Sequence, residues 1–86
     1  MWKLEFSKLA ERDVLSFDKT VQEALAKYFQ KVIESGNPRS FGKALTGNKK
    51  GLWRYRIGDY RAICEIMNNE LKIIAVRIGH RNKIYD

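Results

Sequence analysis

Residues 52–63 read Leu52-Trp53-Arg54-Tyr55-Arg56-Ile57-Gly58-Asp59-Tyr60-Arg61-Ala62-Ile63, two runs of alternating character joined by a pair of turn formers. Gly58-Asp59 suits a two-residue hairpin with glycine in the first central position, as a type II′ turn requires. Such a turn pairs Ile57 with Tyr60, Arg56 with Arg61, Tyr55 with Ala62 and Arg54 with Ile63. Paired residues share a face of the sheet, and successive residues alternate. Tyr55, Ile57, Tyr60, Ala62, Cys64 and Ile66 then point one way, apolar enough to meet a layer of helices. Arg54, Arg56 and Arg61 point the other way. Like charges directly opposite one another destabilise a sheet, so three arginines on one face read better as an anion site than as scaffolding. The guanidinium fork binds phosphate through several donors at once.

Working outward, the strands run from Leu52 to Ile57, from Tyr60 to Met67 and from Glu70 to Ile78. The last two are joined by Asn68-Asn69, residues that tolerate positive φ. The register of the third strand is open. A two-residue turn puts Val76 and Ile78 on the arginine face and Arg77 opposite, whereas a three-residue turn reverses them. In either case the strand ends in Gly79-His80-Arg81 beside the arginines. Upstream, residues 39–52 are loop-like, with Gly42, Gly47, Gly51 and the basic pair Lys49-Lys50. Before them come two helices. Ser7 caps the first, Lys8 to Leu15, whose apolar stripe is Leu9, Ala10 and Val14. Asp18 caps the second, in which Val21, Leu25, Tyr28, Phe29, Val32 and Ile33 share one face and Gly36-Asn37-Pro38 is the stop. Trp2 to Phe6 alternates as a short strand. The reading is a single α+β domain over residues 1–86 in β-α-α-β-β-β order. About four strands form one antiparallel sheet, with the helical hairpin on one face.

The chain's 86 residues leave no room for a second core. No apolar run approaches the roughly 20 residues that span a bilayer, and residues 1–6 lack a signal-peptide core. One Cys and one His are too few for a zinc site, so no metal and no cofactor are expected. Cys64, in an apolar stretch, reads as a buried thiol in a reducing cytoplasm. The net charge of +7 is unevenly placed: residues 43–86 hold ten Lys/Arg against four Asp/Glu, residues 1–42 seven against six. A basic half on a small domain calls for a polyanionic partner, nucleic acid first and an acidic protein second.

Three stretches now carry a resemblance. Residues 52–63 resemble the signature hairpin of RelE-type toxins, and Val76-Arg77-Ile78-Gly79-His80-Arg81 with Ile84-Tyr85 resembles their C-terminal motif. Lys43-Ala44-Leu45-Thr46-Gly47 is similar to the segment before that hairpin. The resemblance, to the RelE/ParE toxin superfamily, implies a small antiparallel sheet with two helices on one face and a concave basic face opposite. It also implies cleavage of mRNA in the ribosomal A site, by attack of a 2′-hydroxyl on the adjacent phosphate, and an acidic antitoxin that covers the basic face. ParE members share the fold without the catalytic basic set and poison gyrase.

Carried over by motif, the functional positions are Arg54, Arg56, Arg61, Arg81 and Tyr85. Where the RelE pattern has lysines, this chain has Arg54 and Arg56, and arginine cannot act as a base at neutral pH. His80 is the candidate base, as a C-terminal histidine is in the related YoeB branch. Arg61 and Arg81 would stabilise the phosphorane, and Arg54 and Arg56 would position the backbone. Tyr85 would either donate a proton or stack on a base. Lys43, Lys49 and Lys50 would contact mRNA or rRNA phosphates, and Glu65 would pair with Lys72 across the strands. The alternatives are a gyrase-type inhibitor, an inactive antitoxin-binding relative and an unrelated nucleic-acid-binding module.

Overall fold

The computed structural model describes residues 1–84. The chain runs β1 (Lys3–Phe6), α1 (Lys8–Leu15), α2 (Lys19–Ser35), β2 (Lys43–Ala44), β3 (Trp53–Ile57), β4 (Tyr60–Met67) and β5 (Lys72–His80). The helix limits follow the caps. The Ser7 hydroxyl accepts from the Ala10 amide, the Asp18 carboxylate accepts from the Val21 amide, and Gly36 closes α2 in the left-handed region. Leu25, Phe29 and Val32 bury the stripe of α2 against Tyr55, Ile57, Ala62 and Cys64. In α1 the inward residue is Ala10, while Leu9 is 53% exposed and lies outside the core.

The five strands form one sheet in the order β1-β5-β4-β3-β2. The sheet is mixed, which corrects the all-antiparallel expectation: β1 runs parallel to β5, with Leu4 against Ile73 and Phe6 against Ala75. Residues 43–44, expected in a loop, add a short fifth strand beside Trp53 and Arg54. The β3–β4 hairpin has the register expected from its turn, Ile57 against Tyr60 and Arg56 against Arg61, with Gly58 at φ 58.

Neither turn considered for the β4–β5 connection occurs. A 3₁₀ turn at Asn68–Glu70 is followed by Leu71 at φ 53, so positive φ falls on Leu71 and on neither asparagine. Met67 then meets Lys72, and a bulge between Ile63 and Cys64 leaves Val76 without a partner. The bulge lets Ala75 and Ile78 both face the core while Arg77 stands in register with Ile63. Glu65 lies opposite Ile74, away from Lys72. Lys72 instead bridges Glu5 at 3.3 Å and Glu70 at 3.4 Å, which corrects the expected Glu65 pair.

Beyond Ala75, α1 takes over from β1 along the edge of β5. The Ser7 hydroxyl donates to the Val76 carbonyl at 2.8 Å. Asp13 accepts from the Ile78 amide at 2.9 Å and from Arg77 Nε and Nη2 at 2.9 and 3.1 Å. Burial raises the Asp13 pKa, but these hydrogen bonds and the Arg77 charge outweigh it and leave the carboxyl below its ordinary value. Because the folded value is depressed, the stabilisation is fully present above the unfolded carboxyl range near 3.8 and is lost as pH falls through the lower folded value. Asp13→Ala should cost on the order of 2 kcal/mol, since it strands an edge amide and removes charge-assisted bonds. At roughly 4–8 °C per kcal/mol for a domain of this size, the melting midpoint should drop by about 8–16 °C at neutral pH. The gap between parent and variant should close below pH 4 in calorimetry, and an unchanged gap would show that Asp13 does not titrate as described.

Candidate nucleic-acid interface

Arg54, Arg56 and Arg61 share the sheet face turned away from the helices, as the hairpin register requires. That face is not open. Arg54 and Arg61 are each only 9% exposed and Ile63 only 5%, while Arg56 is exposed. Part of the cover is the C-terminal turn. Lys83 and Ile84 donate to the His80 carbonyl at 2.8 and 3.2 Å, which folds Ile84 back over Gly79. A Cβ at Gly79 would lie 3.6 Å from that of Ile84.

The Gly58-Asp59 turn anchors two of the arginines. Arg61 Nη1 donates to the Gly58 and Tyr60 carbonyls, each at 3.0 Å. Its Nε is buried and has no hydrogen-bond partner among the described residues, an arrangement poised for an anion. The Arg81 amide donates to the Asp59 carbonyl at 2.8 Å, and Arg81 Nε lies 3.9 Å from the Asp59 carboxylate. Arg61 is in register with Gly79, and Arg81 follows in the turn directly after β5.

His80 is placed differently. It is in register with Tyr60, the residue that alternates away from Arg61, and the two rings meet edge to face at 5.5 Å. Tyr60 in turn packs on Phe17, between the helices, at 4.9 Å. His80 Nδ1 accepts from the Asn82 amide at 3.2 Å, so in the neutral ring the proton sits on Nε2. Its free lone pair is thus already engaged.

Two concavities divide the remaining residues. One of about 740 Å³ lies between the end of α1, the Lys49–Leu52 loop and the end of β5; Lys49, His80 and Lys83 line it together with apolar Leu52, Ile63 and Ile84. The other, of about 200 Å³, is lined by Tyr28, Gly42, Lys43, Arg54 and Arg56. Lys50 is exposed on the connecting loop. Tyr85 lies outside the described residues. The sequence reading overlooked Asp59 as a partner of Arg81 and Asp13 as a clamp on Arg77 and Ile78. Neither role has a local signal, because each pairing spans more than 20 residues of chain.

Comparison with known proteins places this architecture. The family model for the ParE toxin of the type II toxin–antitoxin system parDE matches residues 4–85. No curated protein matches the sequence significantly. Among solved structures, a chain of the RelBE2 toxin–antitoxin complex from Mycobacterium tuberculosis superposes with a TM-score of 0.83 at 25% identity, covering 93% of this chain and 91% of that one. The isolated E. coli RelE toxin gives 0.76 at 18% identity, covering 93% and 84%. The YoeB/ParE toxin from Agrobacterium tumefaciens gives 0.74 at 16%, covering 91% and 96%. The last two show the shared fold: two helices on a five-stranded, mostly antiparallel sheet. A family match over almost the whole chain, on a fold with a basic face anchored at one turn, makes this protein a member of the ParE toxin family, within the RelE/ParE superfamily of type II toxin–antitoxin toxins.

Proposed function

We propose that this toxin is a ribosome-dependent endoribonuclease that cuts mRNA in the A site. The observation that carries the reading is that Arg61, on the face shared with Arg54 and Arg56, and Arg81 are both anchored at the Gly58-Asp59 turn. Internal cleavage of RNA forms a bond from the 2′-oxygen to phosphorus and breaks the bond to the 5′-oxygen. The products are a 2′,3′-cyclic phosphate and a 5′-hydroxyl. Arg61 and Arg81 hold the extra charge of the phosphorane, since donors already fixed need no reorganisation in the transition state. Arg54 and Arg56 hold the backbone, and Tyr85 protonates the leaving oxygen or stacks on a base. His80 takes the 2′-OH proton once Nδ1 releases the Asn82 amide. One long neutral hydrogen bond of this kind is worth about 1 kcal/mol, a small barrier beside the chemistry. Lys43, Lys49 and Lys50 add phosphate contacts that make binding salt-dependent. The natural partner between bursts of activity is an acidic cognate antitoxin in the cytoplasm, as fits a +7 chain with neighbours solved in toxin–antitoxin complexes.

A second reading, a gyrase-directed inhibitor without nuclease activity, is favoured by the ParE model match itself. Induction in a growing bacterial culture separates the two, with primer extension on a translated mRNA and on an untranslated copy. Growth arrest with cuts only in the translated message is the expected result. Arrest without cuts, together with lost supercoiling activity, would sink the nuclease and establish the second reading.

A further inference from the structure

β1 ends the sheet, and its outer side meets no other strand among the described residues. The Lys3 and Ser7 amides donate inward, to the Leu71 and Ala75 carbonyls, each at 2.9 Å. Backbone groups alternate from side to side along a strand, so the N–H and C=O of Leu4 and Phe6 point outward. Trp2 comes next in the same phase. Beside this edge lies a groove of about 480 Å³, lined by Met1, Leu4 and Phe6 on one side and by Ala26, Phe29 and Ile33 of α2 on the other. Phe6 is 42% exposed and Met1 94%. A row of outward backbone groups next to exposed apolar side chains is a template for a further strand.

The charges of β1 select which strand. On the face away from the helices it carries Lys3 and Glu5, two residues apart. Glu5 reaches Lys72 at 3.3 Å. Lys3 stands in register with Lys72 and forms no ion pair among the described residues. A second copy of β1, laid antiparallel, has three registers that match both side-chain faces, oppose the outward groups and keep most of the strand paired. Centred on Lys3 or on Glu5, they set two like charges face to face at the twofold axis, which is unfavourable. Centred on Leu4, Lys3 of each copy faces Glu5 of the other and Leu4 meets Leu4. Phe6 then falls opposite Trp2, both on the helix side. This register is also the longest, since residues 2–6 are all paired.

We infer that the chain forms a twofold-symmetric dimer in which β1 pairs antiparallel with β1 of a second copy, centred on Leu4. Two five-stranded sheets become one. Each hydrogen-bonded rung exchanges two bonds, so the Leu4–Leu4 rung and the two Phe6–Trp2 rungs build the ladder. The Lys3–Glu5 rungs fix its register, and the apolar side chains of the two edges meet at the axis. The occupant is a second copy because the edge is complementary to itself, with opposite charges placed symmetrically about an apolar residue. That is the self-matching patch of an isologous contact. It involves none of the arginines on β3 and β4, so it is independent of the cleavage reading. One four-residue strand and one groove make a small interface, which sets the affinity in the micromolar range.

Sedimentation of the full chain, from micromolar to near-millimolar concentration, should show the mass rise from one chain towards two. In hydrogen exchange followed by NMR, the Leu4 and Phe6 amides should gain protection over the same range. The Lys3 and Ser7 amides, already bonded, should change little. Lys3→Glu and Glu5→Lys each set like charges in both outer rungs, so each variant should dimerise roughly tenfold more weakly than the parent. Mixed in equal amounts, the two variants restore opposite charges in both rungs and should pair at about the parent's affinity. Loss of β1 structure in either variant could not be rescued by mixing. A parent that stays monomeric overturns the dimer, and so does one that dimerises with the Leu4 and Phe6 amides unprotected. Variants that self-associate like the parent, or a mixture that does not pair, overturn the register and with it the proposal. Protection of these amides only in a copurified complex with another protein, the chain alone being monomeric, would give the edge to that partner's strand and overturn self-pairing.

Discussion

Replacing Arg61 and Arg81 together by alanine should abolish both growth arrest and message cleavage while leaving the protein folded. In the proposed cleavage each guanidinium would supply donors to charge that develops on the transferring phosphate, and removing one such donor costs about 10²- to 10³-fold in rate. On that reading the pair would act on the same phosphorane, so their losses need not add, but even the single-site figure should remove toxicity in culture. Arg61 is the stricter of the two. Its Nη1 donates to the Gly58 and Tyr60 carbonyls, which fixes the orientation of the rest of the fork. Lysine cannot hold two carbonyls and a phosphate with the same geometry, so Arg61→Lys should lose most of the activity too. Stability should fall by about 1–2 kcal/mol, because the buried Arg61 gives up two hydrogen bonds, a loss that relief of the like-charge opposition of Arg56 and Arg61 offsets in part. Primer extension and a thermal melt, run on the same preparations, check both halves. A double variant that still cuts at the parent's rate would refute the assignment.

Gly42→Ala should produce the largest loss of stability of any single methyl added to this chain's turns. Gly42 sits at φ 74, where an L side chain costs about 1–2 kcal/mol. Its environment adds more. A Cβ there would run into the Arg54 carbonyl, and it would lie 2.7 Å from Trp53 Nε1 and 2.9 Å from Tyr55 Cδ1. The first obstacle is strand backbone, and the other two are side chains tied by hydrogen bonds. Trp53 Nε1 donates to the Phe41 carbonyl at 2.6 Å and the Tyr55 hydroxyl to the Pro38 carbonyl at 2.7 Å. Overpacking of this kind typically costs 1–3 kcal/mol. Together the two effects come to about 3 kcal/mol, a fall of roughly 12–24 °C in melting midpoint. Gly36 supplies the control, since it has the same φ of 74 with nothing within 4 Å of an added Cβ. Gly36→Ala should cost only the backbone share, about 1 kcal/mol. Equal losses at the two positions would show that the close approach of Gly42 to β3 is unimportant.

Everything governed by short-range pattern was legible in the sequence by itself. The hairpin register came from a two-residue turn, which locks every rung beyond it, so three arginines had to share a face. The helices announced themselves by caps at Ser7 and Asp18, a stop at Gly36 and an apolar stripe at helical spacing. Membership of the toxin superfamily was readable from the order and spacing of three short segments after the helical hairpin. The tertiary structure decided what depends on contacts between distant segments. The parallel docking of β1 on β5 joins residues about 70 apart, and no alternation within residues 2–6 encodes its direction. The bulge at Val76 arises because both Ala75 and Ile78 must reach the core while α1 seals the edge through Asp13. The Asp59 contact to Arg81 and the departure of His80 to the Tyr60 side follow from how the end of β5 meets the hairpin turn. A strand's alternation tells which face a residue takes, but the twist, bulge and edge partners settle what it meets there. The arginine face was therefore readable as a face, and only folding made it a partly covered one with two concavities.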